Sequence, residues 1–535
     1  MVYINRFFFT IINQLRKFYL NSKFYDKKIS KTDSKELIYK PSPHLLSSLI
    51  KYQKRKFDIE DFSLDGIWNK NYTNEKKFKN LNNFYWFFSL DLKSSKQNVQ
   101  SIITNWINSN RQYNNSWDFD LTAKRIIAWL SCHNLTYEES NQIYRNNFNK
   151  MIQKQTNHLI NEIKRSKFID DKLIGCASII LVGLSYQDEK RYLNFGCNLL
   201  KKISKMSLDN SGFTKSRSIK QLIFYLKYYV LIREWFKESQ QNIPEHIDET
   251  IFYLGQNYDL ISKDSNLDFL FNGNNISDSK DFNNYLKRLS YKFKNENHEV
   301  GGYIILKNKK IQMAMDVGSS PDTYFTKDYQ SGALSFEIIS NGQKLISNCG
   351  YYGGENLKLN RLSKSSAAHS TLNIDDNSSC KFINVNNNWL VKKGLKILKK
   401  YYTYEKDYWK IHASHDGYLK KYNSIHEREI EFFPKLMSFT GLDTIIRKKI
   451  NYNYKFEIRF HVEPKVKLMK TQDNKSILIE LNEEGWKFTC ENYNIGIDNG
   501  LYFGNKNSYT ENQNIFISGI SSNKIENIKW EIKKL

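Results

Sequence analysis

The stretch SSAAHSTLNIDDNSSC sets a lone histidine, His369, at the head of an alternating run. Side chains on a strand point to opposite faces in turn. Leu372 and Ile374 therefore share one face, and His369, Thr371, Asn373 and Asp375 the other. An imidazole opening such a polar face can ligate a metal or contact a substrate, although most histidines do neither and are hydrogen-bonded framework groups. Ser414, His415 and Asp416 have the residue types of a nucleophilic triad. Adjacent strand residues face opposite ways and no Gly-x-Ser-x-Gly elbow occurs, so that chemistry is set aside. His415 and His461 read as framework groups.

The elements that must position these groups change character along the chain. At 535 residues it exceeds one core and suits two or three domains. From about residue 85 to 265 the period is helical: Val99, Ile102, Ile103, Trp106 and Ile107 form one stripe, and Ile219, Leu222, Ile223, Leu226 and Val230 another. DLTAKRIIAWLSC, with Arg125 and Trp129 on neighbouring turns, starts a helix after Asp118 or Asp120, and KLIGCASIILVGL is apolar all round, as a buried helix requires. GNNISDSKDFNN is polar and turn-rich and reads as a linker. After about residue 298 the period becomes two. GYIILKNKKIQMAMDV, ALSFEIISNGQKLISN with its Asn341–Gly342 turn, and SILIELNEEGWKFTCEN each read as a hairpin. The expected organisation is an N-terminal extension (1–85), a helical array or toroid (86–272), a linker (273–297) and an antiparallel β-sandwich (298–535).

The formal charge is +25, from 81 basic and 56 acidic residues, which favours acidic partners. The lysines are spread through the chain, and no nucleic-acid-binding motif occurs, so no nucleic-acid partner is expected. Six scattered cysteines without a CxxC pair argue against a disulfide framework and against a zinc-thiolate site. The longest apolar run, CASIILVGL, is too short to cross a bilayer. MVYINRFFFTIINQLRKFY has no small-residue cleavage site, and by itself points to the cytoplasm.

AAHSTLNIDDNSS resembles the Ala-His-Asn/Ser-Thr-Leu segment of the heparinase II/III-like family, and GALSFEIISNGQKLISNCG resembles the strand pair after that family's His-Ala-His loop. FYWFFSLDL, WDFDLTAKRIIAWLS, NSGFTKSRS, FLFNG, ASHDGYLKKYNSIHERE, FEIRFHVEP and GWKF follow in the family's order, from about residue 84 to 490. The resemblance implies an (α/α) toroid joined to a β-sandwich, and a polysaccharide lyase that removes the C5 proton of a uronate and expels the oxygen at C4. Such chemistry needs the carboxylate charge neutralised, and the resemblance implies an Asn or His on the toroid for that task and a Tyr and a His as base and acid. The resemblance also implies a structural zinc held by two His and an Asp, and a place in the cell envelope or periplasm.

Carried over by position, the pattern departs from the family. The His-Ala-His loop falls on Asp328-Tyr329-Gln330, the zinc Asp on Asn348, and only His369 is kept; the toroid's Asn-His pair falls near Asp171-Lys172 and its Tyr near Lys220. One imidazole with an Asn and a Gln does not make a zinc site, so no metal is expected. The candidate catalytic set is Tyr329, Gln330 and His369, with Lys215, Arg217 and Arg125 as substrate contacts. Against each stands a plainer reading: packing for Tyr329, solvated loop charge for Lys215 and Arg217, helix packing with an acidic partner for Arg125. The expected function is metal-independent β-elimination of an acidic polysaccharide. The alternatives are a non-catalytic protein that binds one, or an interaction protein of the envelope.

Overall fold

The computed structural model describes residues 12–31, 36–47, 49, 68, 74–90, 95–166, 168–186, 190–262, 268–275, 279–450, 452–504 and 507–535. Of the expected 1–85 extension, residues 1–11, 32–35, 48, 50–67 and 69–73 lie outside them. The chain divides into two compact units, residues 1–206 with 225–251 and residues 207–224 with 252–535. The segment 207–224, expected among the helices, thus folds with the sheets.

In the first unit the helical stripes do what their spacing predicts. Helix Lys96–Ser109 buries Val99, Ile102, Ile103 and Trp106, and Ser95 caps it by accepting from the Asn98 amide. Helix Phe119–Ser131 begins after Asp118, whose side chain makes no cap bond. Helix Ile169–Ser185 is buried nearly all round. Aromatic rings knit these elements: Trp129 meets Phe84 at 5.3 Å and Trp106 at 5.5 Å, edge to face. No described helix is long and apolar enough to cross a membrane.

The second unit is built from antiparallel sheets. Five strands in chain order (Glu299–Val300, Tyr303–Lys307, Ile311–Asp316, Phe336–Ser340, Gln343–Ile346) make the first. All three expected hairpins form, and the Asn341–Gly342 turn has both residues at positive φ, the twist a two-residue hairpin needs. An eight-stranded sheet runs from Lys467–Lys470 at one edge to Ile397–Tyr404 at the other. A four-stranded sheet orders Asn494–Tyr502, Thr510–Ser521, Tyr454–His461 and Leu372–Ile374. Their apolar faces share one core, in which Phe336 stacks on Trp530 at 5.5 Å and Phe460 meets Trp530 edge-on at 5.0 Å.

Two local expectations differ from the structure. The linker reading of Gly273–Asn284 gives way to the helix Ser279–Arg288, because Phe282, Tyr285 and Leu286 form a buried stripe among its polar residues. The strand expected from His369 begins only at Leu372, since Ser366–Ala368 closes a 3-10 turn into which the His369 amide bonds.

Candidate functional site

A cleft of about 650 Å3 opens in the second unit. Its walls come from the turn Asp209–Arg217, the glycine pair Gly301–Gly302, the segment Gly318–Phe325 and the start of the edge strand, Ile397–Lys400. Lys215, Lys399 and Lys400 bring positive charge to it; Asp209 and Asp322 also border it. Asp209 is occupied, accepting from the amides of Ser211 and Phe213 and from the Ser211 hydroxyl. Lys400 pairs with Glu299 at the rim.

Arg217 borders this cleft but is turned inward. Its Nε donates to Gly301 O at 3.0 Å, Nη1 to Gly318 O at 2.9 Å, and Nη2 to Gly302 O at 3.1 Å and Asp316 Oδ1 at 2.5 Å. The backbone of Arg217 is left-handed (φ 60°), and its carbonyl accepts from the Tyr303 hydroxyl at 2.6 Å. Burial acts to lower the guanidinium pKa, but neighbouring Asp316 more than offsets it and the group stays above its usual value. Gly302 and Gly318 flank the guanidinium so closely that a Cβ on Gly318 would lie 2.3 Å from Arg217 Cζ. The substrate-contact reading of Arg217 is corrected on this ground: its donors and its charge are spent inside the protein. Asn272 extends the network, donating through Nδ2 to Tyr303 Oη and Asp316 Oδ2 and accepting the Gln330 amide.

The three candidate catalytic groups are not assembled at an open surface. Tyr329 is 1% exposed; its hydroxyl meets Ser320 Oγ at 3.2 Å, and burial pushes the phenol well above its usual range. Gln330 is fully buried, its amide accepting from Gly273 N and donating to Gly350 O and Ser363 O. Lys364 secures the same loop, its Nζ donating to the carbonyls of Lys327, Tyr329 and Trp389. Burial brings the Lys364 ammonium down to about 7. His369 is 1% exposed and packs on Gly332. Its Nδ1 donates to Ser365 O at 2.8 Å, leaving Nε2 as a bare, enclosed acceptor, and burial lowers the imidazole to about 4. These three act as framework in this arrangement, because burial and internal hydrogen bonds remove them from ligand contact.

Arg125 lies in the first unit, fully buried, and pairs with no acid among the described residues. It donates to Gln155 Oε1 at 2.7 Å, Asn82 O at 2.8 Å and Ser116 O at 3.0 Å, and stacks 4.0 Å over Trp106. Burial alone lowers it. Its role is to join helices, and the substrate reading is withdrawn.

The positions the resemblance assigns to zinc do not fit that ion. Asn348 Oδ1 accepts from the Ser370 amide and its Nδ2 donates to Glu337, while Gln330 is committed as above. That leaves one imidazole lone pair, on His369. Among the described residues no three His, Cys, Asp or Glu side chains gather to hold a metal. Glu337 and Lys344 form a buried ion pair at 2.9 Å instead, and Glu337 Oε1 also accepts from the amides of Leu270 and Asn348.

His415, His426 and Asp443 line up inside the eight-stranded sheet. Gly417 N donates to His415 Nδ1, so Nε2–H of His415 points to His426 Nδ1 at 3.3 Å, and Nε2–H of His426 to Asp443 Oδ1 at 2.7 Å. Arg428 and Trp530 donate to the same carboxylate. His461 donates to Ala367 O and accepts from Cys349 Sγ. All four groups are satisfied internally, as framework requires.

Lys399 and Lys400 were not singled out from sequence, lying far along the chain from Lys215. Their signal is the run LKKYYTY, in which neither alternating set is apolar, as an exposed edge strand allows.

A helical domain followed by antiparallel sheets of this order is the toroid-plus-sandwich fold of the heparinase lyases. Residues 295–531 match the family model Heparinase II/III-like, C-terminal. The fold superimposes on heparan sulfate lyase HepC (a mutant) from Pedobacter heparinus with a TM-score of 0.69, at 12% identity, covering 96% of this chain and 87% of that one. It superimposes on heparinase III with a TM-score of 0.69, at 15% identity, over 96% and 85% of the two chains. The heparinase III-BT4657 gene product matches at 0.66 and 13% identity, over 88% and 80%. No curated protein matches the sequence.

Proposed function

We propose that this lyase-like chain binds an acidic, uronate-containing polysaccharide in the basic cleft of its sheet-bearing unit. The observation that carries this reading is the convergence of Lys215, Lys399 and Lys400, from two distant segments, on one cavity of about 650 Å3. A chain of carboxylates passing such a cleft is held by several weak, screened attractions that add. Arg217 contributes shape: tied to Asp316 and three glycine carbonyl or neighbouring oxygens, it fixes the turn from which Lys215 projects. No metal enters this reading, since the donor set described above does not fit one.

A second reading, β-elimination of the same polymer, is favoured by the likeness to lyase folds along 96% of the chain. The buried set Tyr329, Gln330 and His369 would have to be uncovered to serve it, which is why binding is preferred. One experiment separates the two. The protein is incubated with heparan, chondroitin, alginate, pectin and bacterial exopolysaccharides while the absorbance of a 4,5-unsaturated uronate is followed, and the same polymers are cast in affinity gels. Retardation without absorbance supports binding; a rise in absorbance lost in Tyr329→Phe or His369→Ala establishes the lyase. No retardation by any acidic polymer overturns the proposal.

A further inference from the structure

The outer face of the four-stranded sheet carries a polar row that the basic cleft does not use. Register sets Asn373, Glu457, Ser518 and Asn494 side by side across all four strands. Their chain neighbours Leu372, Ile374, Phe456, Ile458, Ile517 and Ile495 point the other way, into the core, so the row faces outward by strand alternation. A cavity of about 600 Å3 lies over it. Asp375 and Asp376, with Lys455, also border that cavity, and Ile520, 59% exposed, adds an apolar rim.

Two features point to a ligand that donates hydrogen bonds. Asn373 is 5% exposed, yet its Oδ1 has no hydrogen-bond partner. A buried acceptor left without a donor is costly to the fold, so a donor arriving from the cavity gains more there than at an exposed site. The carboxylate of Asp376 makes no hydrogen bond or ion pair among the described residues, whereas Asp375 accepts the Lys455 amide and Glu457 pairs with Arg459. With three carboxylates and a single lysine bordering it, the cavity repels an acidic sugar and attracts a cationic one, although the chain as a whole is strongly basic. Polar acceptors beside an apolar rim suit a sugar ring, which has hydroxyls at its edge and C–H groups on its face.

We propose that this face is a second carbohydrate-binding site, distinct from the basic cleft, which takes a sugar unit bearing hydroxyl and ammonium donors and no carboxylate, an amino sugar.

The test is calorimetric titration of the full chain with fully deacetylated chitohexaose, with cellohexaose as the uncharged counterpart and a glucuronate hexamer as the acidic one. Chitohexaose is expected to bind at least fivefold tighter than cellohexaose, and saturating glucuronate hexamer is expected not to displace it. Asp376→Asn keeps a residue tolerant of the left-handed backbone found there (φ 56°) and is expected to weaken chitohexaose at least fivefold with an unchanged thermal midpoint. Asn373→Leu is expected to weaken it too, and Lys399→Glu in the basic cleft to leave it unchanged. The inference is overturned if chitohexaose gives no heat, if cellohexaose binds equally, if the glucuronate hexamer displaces it, or if Asp376→Asn binds as the parent does. Failure here leaves the acidic-polymer result at the cleft standing, and the reverse also holds.

Discussion

The guanidinium of Arg217, a residue expected from its sequence context to contact substrate, lies 2.5 Å from Asp316 Oδ1 at the wall of the basic cleft. The pair is buried, with side-chain exposures of 9% and 1%, and is surrounded by backbone carbonyls and Asn272. The residue expected to neutralise a substrate carboxylate thus neutralises one of the protein's own. Arg217→Met leaves Asp316 buried without its partner and should cost about 3–5 kcal/mol, read as an earlier transition in urea. Asp316→Asn with Arg217 intact should be comparably destabilising. A loss under about 1 kcal/mol in both would show that the pair is not a structural anchor.

The glycine beside that guanidinium gives a sharper check. A Cβ at Gly318 would fall 2.3–2.5 Å from three guanidinium atoms of Arg217. Gly318→Ala should therefore destabilise by about 1–3 kcal/mol, as overpacking does, and should be largely silent in an Arg217→Ala background where the space is open. Additive effects in that double-mutant cycle would contradict the contact.

Charge reversal at Lys215 and Lys399 should weaken retention of an acidic polymer together by about tenfold, equivalent to ~1.4 kcal/mol. The effect should shrink as salt is raised, because screening reaches about 8 Å at physiological ionic strength. Arg125→Lys, in the first unit, should leave retention unchanged while lowering the thermal midpoint. Affinity electrophoresis at two salt concentrations reads all three.

His369 and His461 predict a pH dependence of stability. Burial holds them at about 4 and about 3 in the folded chain, against about 6.5 when unfolded. Between those values the unfolded state binds the extra protons, so stability rises with pH there. Their contribution is complete above about pH 6.5 and is lost as pH falls towards 4 and then 3, with a slope approaching ~1.4 kcal/mol per pH unit for each histidine. Replacing His369 by Gln should flatten the unfolding midpoint between pH 4 and 6. An unchanged slope in that variant would show that His369 is protonated in the fold.

The donor set at Gln330, Asn348 and His369 predicts indifference to chelators. Overnight treatment with EDTA should leave the thermal midpoint and the zinc content, measured by atomic emission, unchanged at background. A stoichiometric metal released by that treatment would refute the reading. Lys344→Met should be far more damaging, by about 3–5 kcal/mol, because it strands Glu337 in the core.

Period and turn chemistry determined the order of helices and then sheets, because they are local. Val99, Ile102, Ile103 and Trp106 can only form a stripe on a helix, and Asn341–Gly342 can only close a hairpin. The stripe Phe282, Tyr285 and Leu286 was equally local, but it stood among enough polar residues to read as a linker. Which polar groups stay available to a ligand was decided by tertiary structure alone. Arg217, Arg125, Gln330 and His369 have the right chemistry in the chain, but each meets its partners across tens of residues or more: Asp316, Gln155, Gly273 and, for the ring face of His369, Gly332. A buried charge or amide must find such partners within the fold, and the sequence does not say which of its many acceptors will be nearest. Lys399 and Asn373 show the converse, since only strand pairing decides that one borders a cleft and the other ends a polar row.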